Sequence, residues 1–332
     1  MVTSKEVARS KTLGCLLYYI REGIMVHMRS DTLRLVSLIR MGGVDMEEGD
    51  VKSLASAMGK RAVNIGMKND SIKLLRSAMK GRHKSLIAVE GIWLNAKALT
   101  ARARIETLYV CPTMIHTPEG ADLLSRLVDQ TMGEICIISE NVYHRLSEPK
   151  SDEGVISLCR LPEITLNSVR PRTSDLVLVL DGLESPGNVG TIIRTAEAAG
   201  ACAAVICHGQ ANITNPRTVR SSLCSVLSLP VLEADMEDII RWLRMHEFAL
   251  YFADASGGVV YSDIEYAPRS ALVVGNEKYG ISPDWYETEH LSVYIPMMGT
   301  VDSLNAGVAA SILAYEIRSQ FGHTRARSHM KA

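Results

Sequence analysis

The sequence predicts an α/β protein of two domains, the second of which contains a parallel sheet. Its 332 residues are the first reason, because a chain of this length commonly divides into two domains. The second reason is that strand-like and helix-like segments alternate from Ser85 onward. The third is Leu176–Leu180, an unbroken apolar run of the kind that parallel sheets bury on both faces.

The composition limits the function classes that the chain can belong to. Hydrophobic residues make up 47% of the chain and the formal net charge is -1, so a nucleic-acid partner would have to bind a local basic surface. The seven cysteines form no CxxC pair, which predicts reduced thiols and no metal site. The most apolar early segment, 13–28, is short and interrupted by charges, and no leader peptide is visible. We therefore expect a cytoplasmic protein that does not bind membranes.

Residues 1–62 are predicted to form a helical extension without chemical signals. Its apolar stripes, such as the one through Leu16 and Ile20, suggest an accessory or dimer-packing role. Four further segments follow: a small α/β domain at 63–160, a proline-containing linker at 161–174, the second domain at 175–322 and a basic tail at 323–332.

The first domain contains a basic segment, Lys60–Arg104, that the near-neutral net charge hides. Its lysines and arginines far outnumber its acids, so Arg76, Lys80 and Arg82 are candidates for binding RNA phosphates. The alternative is an ordinary solvated helix surface. Regular elements are predicted as strands at Ser85–Glu90, Ile105–Cys111 and Glu134–Ile138 and as helices at Gly91–Leu99 and Ala121–Asp129.

The second domain starts with a strand–helix–strand unit that lacks nucleotide-binding motifs. The strand at 176–180 leads into a helix that ends near Gly200, and Ala203–Cys207 supplies the next strand. The glycines of the first connection do not fit GxGxxG. The 182–187 loop has the spacing of a Walker loop, but Asn188 stands where lysine is needed, which argues against an NTPase.

Polar residues follow three of the predicted strands. Later strands are predicted at Ala249–Phe252, Ala271–Val274 and Val293–Ile295, with a helix at Met236–His246. Because the carboxyl ends of parallel strands meet at one sheet edge, ligands bind there. We expect five side chains to come together at this edge: Asn188, Arg194, Glu277, Ser303 and Asn305.

Several of these residues also have an ordinary structural explanation. Asn188 suits a helix N-cap, Arg194 suits a surface pair with Glu197, and Ser303 suits the N-cap of the C-terminal helix. The side of that helix predicted to face the core is the apolar stripe Leu304, Val308, Ile312 and Tyr315.

Three segments taken together resemble the motifs of a known family. They are NVGTIIRTAEAAG (188–200), LVVGNEKYGIS (272–282) and IPMMGTVDSLNAGVAA (295–310). In order and spacing they are similar to the motifs of the SpoU (TrmH-like) RNA 2′-O-ribose methyltransferases of the SPOUT superfamily. Looser similarity between 68 and 155 matches the ribosomal-protein-like substrate domain of the rRNA-type members. Cys224 departs from the family, which more often has glycine there.

The resemblance implies a parallel α/β domain whose C-terminal segment forms a trefoil knot, and an obligate homodimer. It implies that Gly275, Ile295 and Leu304 hold S-adenosylmethionine and that the five polar residues above form the catalytic group. The segment from Asn215 to Ser222 is also similar to the family, and it adds Arg220 to the RNA-binding candidates.

The activity that the resemblance implies is methyl transfer to a ribose 2′-hydroxyl. The N-terminal substrate domain favours 23S rRNA as the substrate, with antibiotic resistance as a potential consequence. Two alternatives stay open, namely a non-catalytic RNA-binding protein on the same scaffold and a tRNA 2′-O-methyltransferase.

The chemistry of the three motifs favours electrostatic catalysis. They contain no histidine or cysteine, which argues against a conventional base or a covalent intermediate. A guanidinium group stays protonated in proteins, so it is a poor base. We expect Arg194 to bind a neighbouring phosphate and to stabilise the developing alkoxide, with Asn188, Ser303 and Asn305 orienting it and the ribose.

Overall fold

A computed structural model describes residues 61–147, 153–209 and 212–321. These residues divide into two compact units, one up to Leu161 and the other from Pro162. The predicted helical extension lies outside the described residues except for its last two positions, and so does the basic tail. The domain boundaries drawn from the sequence stay predictions. No described helix is both long and apolar enough to cross a membrane.

The first unit is a mixed five-stranded sheet with helices packed against it. Its strands are β1 (Ala62–Asn64), β2 (Leu86–Glu90), β3 (Arg104–Val110), β4 (Ile135–Ile137) and β5 (Val155–Arg160). Its helices are α1 (Asp70–Met79), α2 (Ile92–Thr100), α3 (Pro118–Gln130) and α4 (Glu140–His144). The strand order is β1-β4-β3-β5-β2, with β5 antiparallel to β2 and β3.

Alternation along the strands places α1 and α2 on opposite faces of this sheet. Ile156 and Leu158 of β5 share a core cluster with Ile72 of α1. Ser157, between them, donates a hydrogen bond to Asn95 of α2. Because successive strand residues point to opposite faces, the two helices cover different sides of the sheet.

The predicted elements of this unit are confirmed, with differences at their ends. Helix α3 begins earlier than expected, because the Thr117 hydroxyl caps it by accepting the Gly120 N–H at 3.1 Å and Pro118 suits the first helical position. Strands β1 and β5 were not predicted as strands.

The second unit is a seven-stranded sheet in which every strand pair is parallel. Its strands are β6 (Asp175–Asp181), β7 (Ala203–Cys207), β8 (Val231–Glu233), β9 (Ala249–Ala253), β10 (Val259–Val260), β11 (Arg269–Val274) and β12 (Leu291–Tyr294). Their order is β10-β12-β9-β11-β6-β7-β8. The helices are α5 (Pro186–Ala198), α6 (Pro216–Ser221), α7 (Met236–Met245) and α8 (Ala306–Gln320).

This architecture confirms the parallel sheet that the sequence predicted. Every residue of β6 is buried, as its unbroken apolar run indicated. The short strands β8 and β10 were not predicted. The trefoil knot that the resemblance implies stays a prediction.

The N-caps of two helices differ from the expected ones. Helix α5 begins directly after its cap Ser185, so Asn188 lies inside the first turn and is not the cap. Helix α8 is capped by Asn305, whose Oδ1 accepts the Gly307 N–H at 3.0 Å, and not by Ser303. The N-cap alternatives suggested for Asn188 and Ser303 are therefore wrong.

The apolar stripe predicted to face the core on α8 is not buried: Leu304, before the helix, and Ile312 are half-buried, and the other two residues face outward. Val308 is 46% exposed and Tyr315 is 52% exposed. The core-facing side consists mainly of small residues, and its buried members are Gly307, Ala310, Leu313, Ala314 and Ile317.

Close packing of α8 against α5 explains this error. A Cβ atom on Gly307 would lie 3.1 Å from Thr191 Cγ2, and the Thr195 and Ser311 hydroxyls are 2.7 Å apart. Only small residues fit such a close contact, so the periodicity of the large apolar residues marked the wrong face.

Cys224 has a backbone conformation that explains why glycine suits this position. Its φ angle is 64°, and that of Leu223 is 50°, so both residues lie in the left-handed region. That region costs a residue with a Cβ atom roughly 1–2 kcal/mol, whereas glycine enters it freely. The departure from the family therefore adds local strain.

Candidate active site

The predicted site lies at the edge where the strands of the second unit end. Strand β6 has β7 on one side and β11 on the other. The chain runs from β6 through β7 to β8 at one edge of the sheet, and it then forms β9 to β12 on the other side of β6. Ligands of open parallel sheets bind at such a switch point. Three connections start there, at 182–185, 275–282 and 295–305.

Three of the five predicted catalytic side chains form a hydrogen-bonded chain. The Asn188 Nδ2 donates to Glu277 Oε1 at 2.7 Å. The Asn305 Nδ2 donates to Asn188 Oδ1 at 2.9 Å. Asn188 thus uses both ends of its amide, and the starts of α5 and α8 are fixed to each other and to the loop after β11.

Glu277 is held as a carboxylate by its surroundings. Desolvation by partial burial favours a higher pKa, but the hydrogen bonds from Asn188 and from the backbone N–H groups of Glu184 and Ser185 outweigh it. The pKa of Glu277 is therefore lowered from its ordinary value. A carboxylate of lowered pKa is a weak proton acceptor, so this residue is better suited to orient Asn188 than to act as a base.

The loop that carries Glu277 is tightly folded. A Cβ atom on Gly275 would lie 2.2 Å from the carbonyl carbon of Gly280, so no other residue fits there without a backbone shift. The Asn276 N–H donates to Gly280 O at 2.8 Å, and Asn276 Nδ2 donates to Gly182 O at 2.8 Å. The second loop is thereby tied to the first.

Arg194 and Ser303 do not join this hydrogen-bonded chain. Arg194 is exposed on α5, six residues and about 9 Å along the helix from Asn188, and it has no hydrogen bond or ion pair with any described residue. The suggested pair with Glu197 does not form. Ser303 is exposed and lines the cavity at this edge, and it likewise has no hydrogen bond among the described residues. The expectation that Asn188 and Asn305 orient Arg194 is therefore not supported, because Asn188 donates to Glu277 and Asn305 donates to Asn188.

Comparison with known proteins identifies the family of this chain. The SpoU rRNA Methylase family matches residues 175–315. A 23S rRNA (guanosine(2553)-2′-O)-methyltransferase, RlmP, of Bacillus subtilis (strain 168) is 34% identical over 182 residues, which cover 55% of this chain and 71% of the relative. The chain belongs to the SpoU rRNA methylase family.

Solved structures of the family share the fold. An AdoMet-bound rRNA methyltransferase from Sinorhizobium meliloti is 26% identical with a TM-score of 0.69, and the match covers 78% of this chain and 98% of that one. The SpoU methyltransferase AviRb from Streptomyces viridochromogenes, in complex with AdoMet, is 25% identical with a TM-score of 0.67, and the match covers 76% and 98%.

A cavity of about 720 Å³ opens beside the hydrogen-bonded chain of Asn188, Glu277 and Asn305. Gly275, Ile295 and Leu304, which the family resemblance assigns to the cofactor, all line it. Small-molecule sites commonly measure about 300–1,000 Å³ and combine apolar walls with a few polar groups. This cavity has apolar walls such as Val293 and Leu313 and a polar rim. The residues present therefore fit S-adenosylmethionine.

The four RNA-binding candidates fall in both units. Arg76, Lys80 and Arg82 are exposed on α1 and directly after it, in the first unit. Arg220 is exposed on α6, which packs against the start of α5: the Ser221 hydroxyl is 3.4 Å from Pro186 O. Arg220 thus lies on a helix next to the one that carries Asn188 and Arg194.

The structure also brings together a group that the sequence analysis missed. Asp181 is completely buried at the end of β6; its Oδ1 lies 2.8 Å from His208 Nδ1 and 3.5 Å from Cys207 Sγ. Its Oδ2 accepts the Ser282 N–H at 2.6 Å.

Asp181, Cys207 and His208 offer potential metal-ligand atoms within 4.8 Å of one another, but hydrogen bonds already occupy both carboxylate oxygens. We interpret Asp181 as an anchor for the 275–282 loop, and the absence of a metal stays a prediction. The signal in the sequence was an acid closing an apolar strand.

Proposed function

We propose that this protein is an S-adenosylmethionine-dependent methyltransferase that acts on a ribose 2′-hydroxyl of 23S rRNA. The observation that carries the proposal is the hydrogen-bonded chain Glu277–Asn188–Asn305 beside a cavity of suitable size. The name of the Bacillus subtilis relative supports 23S rRNA as the substrate. Antibiotic resistance stays a prediction from the sequence resemblance.

In this proposal the chain's own residues position the nucleophile. S-adenosylmethionine supplies an activated methyl group when bound, so the protein has to align the 2′-oxygen and accommodate its proton. Gly275, Ile295 and Leu304 hold the cofactor. Glu277 orients the amide of Asn188, and Asn188 orients that of Asn305, so the edge of the cavity is rigid before RNA binds.

Arg194 supplies the positive charge. Its guanidinium group is exposed and makes no hydrogen bond to another described residue, so it is available to RNA. We assign it to a phosphate beside the target ribose and to the negative charge that develops on the 2′-oxygen. Ser303, exposed at the cavity, contacts the ribose in the same proposal.

We assign RNA-binding residues to each of the two units. Arg76, Lys80 and Arg82 bind phosphates from the first unit, which acts as a substrate domain at 63–160, and Arg220 binds from the catalytic domain at 175–322. Their exposure supports this assignment. Phosphate contacts of this kind supply affinity and orientation without reading the sequence.

We also propose that the protein is a homodimer. The outward face of α8 presents Val308 and Tyr315, each about half exposed, although the opposite face of that helix is fully packed. Exposed large apolar residues in a row commonly mark a protein interface. A second copy of the chain is the partner that the family resemblance implies.

Transfer of a labelled methyl group tests the proposed function. We would incubate the full-length protein with labelled S-adenosylmethionine and, separately, unmodified 23S rRNA and bulk tRNA, and then map 2′-O-methylated positions. The expected result is one labelled position in 23S rRNA, abolished by Asn188→Ala.

Each other outcome contradicts the proposal in a defined way. Label in tRNA alone would establish the tRNA alternative. Binding of both RNA and S-adenosylmethionine without transfer would favour a protein that has lost catalysis. Failure to bind S-adenosylmethionine by calorimetry would exclude the enzyme outright.

A further inference from the structure

Trp93 differs from the other tryptophans of this chain. The sequence contains three, and Trp242 and Trp285 are only 4% and 0% exposed, respectively, whereas Trp93 is 55% exposed. It lies in the first turn of α2, whose packed side consists of Leu94, Asn95, Ala98 and Leu99. The indole therefore takes no part in the core of the first unit, and its exposure needs another explanation.

Positive charge accompanies this exposed ring. Lys97 is one helical turn further along α2, and its Nζ lies 5.9 Å from the centroid of the Trp93 ring. Arg102, just beyond the end of the helix, is also exposed. An aromatic face beside cations is the arrangement with which proteins bind single-stranded nucleic acid, because any base can stack on the ring while the cations contact phosphates.

The position of α2 beside the edge of the sheet also suits the binding of an RNA strand. Strand β2 is an edge strand that connects α1 to α2, and the two helices lie on opposite faces. An RNA strand that crosses the β2 edge can meet the basic residues of α1 and then the exposed side of α2. The two contact sites would be separate and chemically different.

We propose that Trp93 is a stacking site for an unpaired nucleobase, with Lys97 contacting an adjacent phosphate. This inference rests on the proposed RNA substrate, and it adds a binding site that the basic residues of α1 do not provide. The site binds bases through their faces, so it selects unpaired nucleotides and not a particular base.

Intrinsic fluorescence gives a direct test, because Trp93 is the one tryptophan with a largely exposed ring. We would titrate the full-length protein with in vitro transcribed 23S rRNA and with a short oligoadenylate. Stacking should quench the exposed part of the emission, and Trp93→Ala should abolish that quenching. The substitution should also weaken RNA binding about tenfold, since stacking of one base is worth on the order of 1–3 kcal/mol.

Matched variants separate stacking from charge and from misfolding. Trp93→Phe should recover part of the affinity, and Met132→Ala, at a 69% exposed residue of the same unit, should change nothing. Trp93→Ala should leave the salt dependence of binding intact, whereas joint alanine replacement of Arg76, Lys80 and Arg82 should flatten it.

Two results would overturn the stacking site. One is an unchanged RNA affinity of Trp93→Ala, and the other is emission that saturating RNA does not alter. If such a protein still methylates 23S rRNA, the proposed function stands and only the stacking site is wrong. If the wild-type chain neither binds nor methylates RNA, both proposals fail together.

Discussion

The candidate active site has a rigid half and an open half, and the two differ in how their side chains are held. Asn188, Glu277 and Asn305 are joined by hydrogen bonds of 2.7 and 2.9 Å. Arg194 is exposed and makes no hydrogen bond to any described residue. The groups that set the geometry are thus in place within one chain, while the group that carries positive charge makes no hydrogen bond or ion pair with another described residue. This division suits an enzyme that contacts phosphate only when its RNA is bound.

The largest expected effect concerns the open half, through Arg194→Lys. If this site needed only a basic nitrogen near the 2′-oxygen, lysine would serve, since it loses its proton more readily than arginine. If it needs a planar fork that holds phosphate and oxygen together, lysine has the wrong geometry. We expect kcat to fall on the order of 100-fold, with unchanged affinity for S-adenosylmethionine.

Single-turnover methylation over a pH series, at saturating cofactor and RNA, measures this effect. If the rate of the lysine variant approaches that of the wild type at high pH, the site does not need the planar guanidinium group. Arg194 would then be assigned as the base. Asn188→Ala provides the comparison from the rigid half. Raising the pH should not restore its methylation rate.

The second prediction asks whether a partner subunit completes the open half. Val308→Glu places a charge on the outward face of α8. In a monomer this change should alter stability by no more than about 0.5 kcal/mol, because the side chain is 46% exposed. In the proposed dimer it buries an unpaired charge, so we expect a monomer by light scattering and a loss of methyl transfer.

Met245→Glu is the matched control for this substitution. Met245 is an apolar residue of the same unit that is 71% exposed on α7, away from the proposed interface. The Met245→Glu substitution should leave the dimer mass measured by light scattering unchanged. A Val308→Glu protein that remains dimeric would place the interface elsewhere.

These tests matter because the sequence predicted the sheet more accurately than the contacts between the candidate site residues. The order of the motifs and the apolar run of β6 were enough to predict the parallel sheet and the edge at which polar residues gather. The predicted contacts were less accurate, because Asn188 and Asn305 were expected to orient Arg194, whereas Asn188 donates to Glu277 and Asn305 donates to Asn188.

The errors share a physical cause. Residue type tells which groups can donate or accept, but not which of several partners lies within hydrogen-bonding distance. The stripe through Val308 and Tyr315 was assigned to the core because large apolar residues usually lie there, yet α5 approaches α8 too closely for them. Asp181 was overlooked because nothing local in the sequence shows that Ser282 will reach it.

The third prediction tests the rigid half through Asn305→Asp. Aspartate caps a helix as well as asparagine does, so α8 should keep its stability. The variant loses the donor to Asn188 and brings a second negative charge near Glu277. We expect kcat to fall about tenfold, the value of one hydrogen bond of about 1 kcal/mol with some added repulsion, while the melting temperature changes little.

Asn305→Ala is the comparison for this variant. It removes the cap and the donor together and should cost about 1 kcal/mol of stability in addition. If the aspartate variant were as unstable as the alanine variant, the hydrogen bond to Asn188 would be structural and not catalytic. Thermal unfolding and single-turnover rates on the same preparations decide between these roles.

The smallest expected effect concerns the acid behaviour of Glu277. Its pKa is lowered in the folded protein because the hydrogen bonds from Asn188, Glu184 and Ser185 outweigh desolvation. A group of lowered folded-state pKa stabilises the fold above its unfolded pKa, near 4.5 for this residue, and this contribution disappears as the pH falls through the folded value. Unfolding of the wild type should therefore show an added loss of stability below the ordinary glutamate range.

Glu277→Gln keeps the shape of the side chain but cannot titrate, so its stability should depend less on pH in that range and be slightly lower at neutral pH. Because the carboxylate is exposed, solvent screens it and the difference should be small. Identical acid profiles for the two proteins would mean that the hydrogen bonds to Glu277 are too weak in solution to hold Asn188, and the rigid half would lose its anchor.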